Sequence, residues 1–264
     1  MKHSHTVKAK KHLGQHFLAD QHTAHRIADS LVDPNGMTVL EIGPGTGALT
    51  RPLLERSDLA LWAIEVDHES ILHLQQQDWM PSDRILEGDF LHMPLSDSFG
   101  DQQVIICGNF PYNISSQILF KTLDSRQQVP QLVGMFQKEV AERVCSKHGS
   151  KVYGILSVLI QTYYDAEYLF TVPPEVFIPP PKVHSGVLRL VRKSEQPTGF
   201  QYSHLKTIVK AAFNQRRKTL RNALRSAGIS LDGIDATTLG LRAEQLSPES
   251  FQELARIIRR EQEL

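Results

Sequence analysis

The sequence predicts an α/β protein: a parallel sheet covered by helices on both faces, then a small all-helical carboxyl-terminal domain. Three observations carry that expectation. Short β-branched runs alternate with helical patterns over the first half of the chain. Several of those runs end on Gly or on a residue with a side-chain oxygen. Beyond residue 200 the short runs give way to longer amphipathic stretches. Strands alternating with helices at this spacing need crossover connections, and crossovers make a parallel sheet.

Residues 38–42 read as the first strand, and Gly43-Pro44-Gly45-Thr46-Gly47 as a tight loop opening a helix near 48–56. Residues 59–65 are the next strand, followed by a helix from 68 to about 77. A third strand over 84–87 ends at Gly88-Asp89. The fourth, 103–107, is apolar and β-branched and stops at Gly108; a helix follows over 115–123. Residues 132–136 are a fifth strand. After Tyr153 the pattern changes to an apolar helix over 155–163 and late strands over 167–172 and 186–191. Between those strands Pro173, Pro174, Pro179, Pro180 and Pro181 forbid regular structure. Residues 193–200 read as a linker, and 203–226 and 248–260 as amphipathic helices.

Composition bounds the function. A chain of 264 residues with 41% apolar residues builds a sizeable core, and no apolar run reaches membrane-spanning length. Met1-Lys2-His3-Ser4-His5 has no apolar stretch, so no secretory signal is expected. Cys107 and Cys145 stand far apart, which suggests neither a disulfide framework nor a zinc site and fits the cytoplasm. His3, His5 and His12 suggest no metal site. The formal net charge of zero is split into blocks: residues 1–19 hold Lys2, Lys8, Lys10 and Lys11 and no acid, and residues 176–231 hold eleven Lys or Arg against Glu195 alone. Such a split argues for a polyanionic partner on the basic face.

The chemistry gathers at strand ends. In an open parallel sheet, ligands bind at the carboxyl edge. There the glycine-rich loop lets backbone approach a ligand, and Glu65, twenty-two residues past Gly43, stands where an acid accepts hydrogen bonds from ribose hydroxyls. Two ligands fit that pattern, a nicotinamide dinucleotide and S-adenosylmethionine. Pro44 in the turn and Glu41 ahead of it weigh against a pyrophosphate. A carboxylate attracts ammonium and sulfonium and repels phosphate, each by roughly 4 kcal/mol at about 4 Å and an effective dielectric of 20. Asp89 follows the third strand and could accept from an adenine amino group. Asn109-Phe110-Pro111-Tyr112 follows the fourth, offering an acceptor and a ring for stacking.

Further motifs accompany these in order: Gly14-Gln15-His16-Phe17-Leu18, Ile64-Glu65-Val66-Asp67, Asn113-Ile114-Ser115, Gln137-Lys138-Glu139-Val140-Ala141-Glu142-Arg143, Phe177-Ile178-Pro179-Pro180-Pro181-Lys182-Val183 and Phe213-Asn214-Gln215-Arg216-Arg217-Lys218-Thr219. Together they resemble the bacterial small-subunit ribosomal RNA adenine N6-dimethyltransferase family over about residues 8–260. The resemblance implies a Rossmann-like, S-adenosylmethionine-dependent methyltransferase domain over residues 1–194, including a basic arm over 1–19, and a helical RNA-binding domain over 195–264. It implies cofactor contacts from His16, Leu18, Glu41, Gly43, Gly45, Glu65, Asp89 and Asn109. Catalysis would fall to Asn109, Phe110, Pro111 and Tyr112, with Asn109 and the Phe110 carbonyl accepting from the target N6 amino group. Tyr112 would stack on one face of a flipped adenine and Phe177 on the other. Lys8, Lys10, Lys11, Lys182, Arg216, Arg217, Lys218 and Arg221 would meet RNA phosphates.

Two departures stand out: the family usually has Asn at the position of His16 and Leu at that of Phe110. The activity implied is dimethylation of two adjacent adenosines near the 3′ end of small-subunit rRNA, late in subunit biogenesis, by a cytoplasmic monomer acting on the immature subunit. No membrane or DNA partner is expected. The rival readings are a large-subunit rRNA adenine methyltransferase of the antibiotic-resistance type and a ribosome-assembly factor acting mainly by binding.

Overall fold

Seven strands form the main sheet of the computed structural model, which describes residues 7–258. The expectations on Lys2, His3 and His5, and on the last two residues of the helix read over 248–260, lie outside the described residues. The strands are β2 (Thr38–Ile42), β3 (Ala60–Glu65), β4 (Ile85–Glu87), β5 (Val104–Asn109), β6 (Gln131–Gln137), β7 (Tyr164–Val172) and β9 (Ser185–Arg192). The short β1 (Phe17–Leu18) and β8 (Phe177–Ile178) form a separate antiparallel pair.

The order across the sheet is β4-β3-β2-β5-β6-β9-β7. From β2 the chain lays β3 and β4 to one side, then crosses over to place β5 and β6 on the other, all in parallel. That reversal leaves the carboxyl ends of β2 and β5 adjacent while their connections diverge, which opens a crevice for a ligand. The sheet is not parallel throughout: β9 runs antiparallel to β6, with Met135 opposite Val187. Strand β9 follows its sheet neighbour β7 with no α-helix between them, and a strand that returns without a helical crossover runs antiparallel.

Residues up to Ala141 and Glu167–Arg192 make one compact unit; Glu142–Ala166 and the residues from Lys193 make a second. In the first lie α1 (Gln21–Asp29), α2 (Thr50–Leu54), α3 (His68–Gln75), α4 (Leu95–Phe99) and α5 (Ser115–Asp124), and α6 (Lys138–Cys145) runs on from it. Helix α1 starts where the Asp20 carboxylate accepts the Thr23 N–H at 2.8 Å, and it buries Thr23, Ala24, Ile27 and Ala28 on one face. These pack with Val39, Ile105, Val133 and Met135 of the sheet and with Leu18 and Phe177 of the small ribbon. Helices α1, α4 and α6 have no counterpart in the sequence reading. Helix α4 is only five residues, too few to show a helical period.

The second unit holds α7 (Ile155–Tyr163), α8 (Tyr202–Asn214), α9 (Leu220–Ser226), α10 (Ala236–Gly240) and α11 (Pro248–Ile257). Helix α7 is buried almost all round, through Leu156, Val158, Leu159 and Ile160 among others. An apolar helix of that kind needs neighbours on every side, and it packs with α8 and α11. For that reason the division places Glu142–Ala166 with the carboxyl-terminal helices, whereas the sequence boundary at 194 leaves them in the first domain. The single helix read over 203–226 is two helices. Gln215–Thr219 forms a turn, with the Lys218 N–H donating to the Gln215 carbonyl at 2.8 Å and Thr219 extended. No Gly or Pro marks the break, so the helical pattern runs through it. Among the described residues, no helix is long and apolar enough to cross a membrane.

Two strand glycines make room for one ring. Phe110 is fully buried against Phe136, ring centroids 4.8 Å apart. A methyl group at Gly134 would stand 2.2 Å from Phe110 Cε2, and one at Gly108 would stand 2.8 Å from Phe110 Cε1. Strand β5 therefore continues through Gly108, where the sequence suggested a stop, and the glycine serves as a slot instead of an end. Gly134→Ala should cost about 1–3 kcal/mol through overpacking, read by chemical denaturation. Phe110→Leu in the same chain should recover part of the loss; an unchanged midpoint in Gly134→Ala would show that the slot has slack.

Candidate active site

The reversal in strand order positions a cleft at the carboxyl ends of β2, β3 and β5. Its described lining comprises Leu13–Phe17, Gly43, Gly45, Glu65, Val66, Asp89, Leu91 and residues 109–114, around about 820 Å³ of space that includes open solvent. Of the residues singled out from the sequence, His16, Gly43, Gly45, Glu65, Asp89, Asn109, Phe110, Pro111 and Tyr112 come together here. Leu18, Glu41 and Phe177 do not line it.

Glu65 organises the floor. Its Oε2 accepts the Gly45 N–H at 3.1 Å, and its Oε1 accepts those of Val66 and Asp67, each at 2.9 Å. Burial raises its pKa above the usual carboxylate value, against the pull of those three backbone donors. Gly45, at φ +57°, adopts a conformation that side-chain-bearing residues rarely take, and a Cβ there would stand 2.9 Å from the Phe17 ring. The glycine thus serves the approach of Phe17 as well as that of any ligand. Asp89 caps its own turn, accepting the Leu91 N–H at 2.9 Å and pairing with His92 Nδ1 at 2.8 Å.

Glu41 corrects an expectation. It is 1% exposed, and its Oε2 has no hydrogen-bond partner. Burial pushes its pKa up to about 8; the nearby Thr50 hydroxyl offsets part of the rise and the Glu65 carboxylate adds to it. Near neutral pH Glu41 is therefore mostly protonated, and the carboxyl groups that line the cleft are those of Glu65 and Asp89.

The Asn109–Tyr112 loop is fixed at both ends. Asn109 Nδ2 donates to the His16 carbonyl at 2.9 Å, which commits the amide nitrogen and leaves Oδ1 as the acceptor. The Phe110 N–H donates to the Met135 carbonyl at 3.1 Å. The Tyr112 hydroxyl and Ser185 Oγ lie 2.5 Å apart, and the Tyr112 ring lies 5.4 Å from that of His16 at an interplanar angle of 32°. The His16 imidazole is itself held, with Nδ1 bonded to the Pro179 carbonyl at 2.8 Å. Phe177 is 2% exposed and sits opposite Leu18 in the core, so its ring does not face the cleft. Strand alternation explains why: Ile178, its neighbour, takes the exposed side.

Eight lining residues were given no site role in the sequence reading: Leu13, Gly14, Gln15, Phe17, Val66, Leu91, Asn113 and Ile114. Val66 is exposed and follows Glu65 directly, so its position one residue past the strand end was the signal available. The lining also decides between the two ligands. Among the described residues around the cleft there are two carboxylates and no lysine or arginine. A pyrophosphate would meet acids without a compensating cation, whereas S-adenosylmethionine brings an ammonium and a sulfonium. Hydroxyl and amino donors on a nucleoside find acceptors in Glu65, Asp89 and Asn109. The residues present fit that cofactor.

The basic residues are spread over both units. Lys8, Lys11 and Lys182 are exposed. Lys10 is paired with Asp67 and Glu69 instead. In the second unit the basic run sits on the turn between α8 and α9. Arg217 and Lys218 are exposed and Arg221 is half-buried. Arg216 is half-buried, its guanidinium donating to the Ser150 and Lys151 carbonyls, with Glu244 3.9 Å away. Among the described residues no group of three or more His, Cys, Asp or Glu could hold a metal ion.

The sequence model of one family, ribosomal RNA adenine dimethylase, matches residues 6–259. The chain belongs to that family. A Porphyromonas gingivalis protein named ribosomal RNA small subunit methyltransferase A is 53% identical over 247 residues, covering 93% of this chain and 95% of that one. A Cytophaga hutchinsonii protein of the same name is 51% identical over 253 residues, covering 96% and 98%. Among solved structures, a dimethyladenosine transferase from Plasmodium falciparum superposes with a TM-score of 0.73 at 22% identity, over 90% of this chain and 96% of that one. The 23S rRNA methyltransferase ErmE gives 0.65 at 23% identity, over 90% and 99%. These two likenesses establish the Rossmann-like methyltransferase fold.

The burial of Glu41 makes a prediction about pH. Its folded pKa lies above its unfolded value, so the folded state holds a proton that the unfolded state releases. Between 4.5 and about 8 the wild type should lose up to roughly 1.4 kcal/mol per pH unit relative to Glu41→Gln. Denaturation of both proteins across that range checks this; parallel curves would show Glu41 ionised in the fold.

Proposed function

We propose that this protein is an S-adenosylmethionine-dependent rRNA adenine N6-dimethyltransferase that modifies two adjacent adenosines near the 3′ end of small-subunit rRNA. The carrying observation is the acidic cleft at the β2/β5 crevice beside an Asn109 amide whose nitrogen is already committed. Relatives of about 50% identity over nearly the whole chain, named for the small subunit, support the same reading. They do not favour the large-subunit alternative.

S-adenosylmethionine supplies an electrophilic methyl group when bound. Glu65 and Asp89 would hold its nucleoside by accepting hydrogen bonds, with Val66 and Leu91 as apolar walls. The target amine needs more help, because the N6 lone pair of adenine is delocalised into the ring. Asn109 Oδ1 and the Phe110 carbonyl would accept its two N–H groups, favour a pyramidal nitrogen and aim the lone pair. Positioning of that kind is worth up to about 7–11 kcal/mol for well-oriented partners. Tyr112, its hydroxyl tied to Ser185, would offer its ring to the flipped base, returning roughly 1–3 kcal/mol of the flipping cost. A site that still admits the monomethylated amine performs the transfer twice.

In this reading Arg217, Lys218 and Arg221 of the helical unit meet phosphates, together with Lys8, Lys11 and Lys182 of the first unit. Arg216 buttresses the turn that carries its neighbours. The substrate is the immature small subunit in the cytoplasm, met by a monomer.

Tritiated methyl transfer to unmethylated small subunits, with nucleoside analysis, tests the function. Label in N6,N6-dimethyladenosine of small-subunit rRNA is expected. Label confined to large-subunit RNA, or tight subunit binding without label, would overturn the proposal in favour of the resistance-type enzyme or an assembly factor. Asn109→Ala should lower turnover by about 10²-fold or more while subunit binding persists; unchanged turnover would remove Asn109 from the mechanism. Arg217→Glu with Lys218→Glu should weaken RNA binding and lower its salt slope by up to about 2. An unchanged slope would place the phosphate contacts elsewhere.

A further inference from the structure

The strap formed by Lys10–Phe17 is tied down on both sides of β2. On the β5 side, the His16 carbonyl accepts Asn109 Nδ2, and a Cβ at Gly14 would stand 2.5 Å from Asn113 Oδ1. On the β3 side, side-chain ties reach Asp67 and Glu69 at the start of α3. Lys10 Nζ pairs with the Asp67 carboxylate and lies 3.2 Å from Glu69 Oε1. Gln15 Nε2 donates to Asp67 Oδ2 at 3.2 Å, and Gln15 Oε1 accepts the Lys10 N–H at 2.8 Å.

We propose that Lys10 and Asp67 form a latch that closes this strap over the cofactor cleft, so that Lys10 acts in cofactor retention and not in RNA binding. The inference rests on reading the cleft as the S-adenosylmethionine site.

Three observations carry it. Asp67 is 2% exposed, and a carboxylate so deep in the fold needs a cation or several donors. It has both: besides Lys10 and Gln15, Ser70 Oγ donates at 3.0 Å and the Glu69 N–H at 3.3 Å. Burial works to raise its pKa, yet the bonds from Lys10, Gln15, Ser70 and Glu69 outweigh it and hold the group below its usual value. Second, the latch shares a turn with the cleft floor, since the Asp67 N–H is one of the three donors on Glu65. A strap that lifts off Asp67 disturbs the turn that orients Glu65. Third, the strap supplies cleft wall directly, through Leu13, Gly14, Gln15, His16 and Phe17. Opening it removes one side of the site and exposes the cleft to water.

Lys10 makes no contact expected with the cofactor itself, so its removal separates closure from binding chemistry. In full-length protein, Lys10→Met should raise the calorimetric Kd for S-adenosylmethionine about tenfold if the closed fraction falls to about a tenth. Trypsin cleavage after Lys11 should quicken in that variant, and cofactor should slow it less than in wild type. Lys10→Arg, which keeps the cation, should restore both readouts and so excludes a mere folding defect. Affinity for small-subunit rRNA should match that of wild type. Unchanged cofactor affinity, with or without weaker RNA binding, would overturn the latch. Failure of the wild type to bind S-adenosylmethionine would overturn the cofactor reading, and the latch with it.

Discussion

Three backbone N–H groups converge on the carboxylate of Glu65, and the geometry of the cleft depends on that convergence. One donor belongs to the glycine-rich loop after β2, and two belong to the turn between β3 and α3. A single side chain thereby sets the spacing between two loops that the sheet alone would leave independent. Its near-complete burial raises the cost of ionisation, and the three donors oppose that cost. Glu41 is buried close by without such donors and holds its proton near neutral pH. Burial raises the pKa of both acids, and at Glu65 the rise is opposed by three backbone donors that Glu41 lacks.

That difference bears on ligand choice. The carboxyl groups offered to a ligand are those of Glu65 and Asp89, at the ends of successive strands, while the acid ahead of the glycine loop contributes little charge near neutral pH. The sequence argument for a cationic cofactor reached the right sign from the wrong carboxylate. The conclusion survives because the described lining has no lysine or arginine to balance the two acids.

The strands of the main sheet and the residues at their ends were legible in the sequence because apolar, β-branched runs bounded by Gly and polar residues have few other uses in a buried sheet. Asn109, Glu65, Gly43 and Asp89 could be placed at one edge on that ground alone. What escaped depends on partners distant in sequence. Nothing local in Lys10 shows that Asp67 waits for it, and nothing in Phe177 shows that Leu18 draws its ring into the core. The turn at Gln215–Thr219 carries good helix formers, so only tertiary packing breaks the helix there. Gly108 read as a strand end because a glycine usually weakens a strand; a Cβ there would stand 2.8 Å from both the Ile42 carbonyl of β2 and the Phe110 ring.

The departure at residue 16 shows how the fold tolerates a change of side chain at a site position. The contact that orients Asn109 uses the backbone carbonyl of His16, which any residue supplies. The imidazole is then free to take a different partner, the Pro179 carbonyl, and to pack against Tyr112. Since that carbonyl can only accept, Nδ1 must carry the proton, and in the neutral ring Nε2 is left as an acceptor. The ring therefore joins the amino-terminal strap to the proline-rich loop beside Tyr112, whose hydroxyl is held by Ser185 at the start of β9. The acceptor on Asn109 and the ring of Tyr112 are thus positioned by one short segment of strap. The geometry of the loop at the end of β5 and one wall of the cleft share that segment.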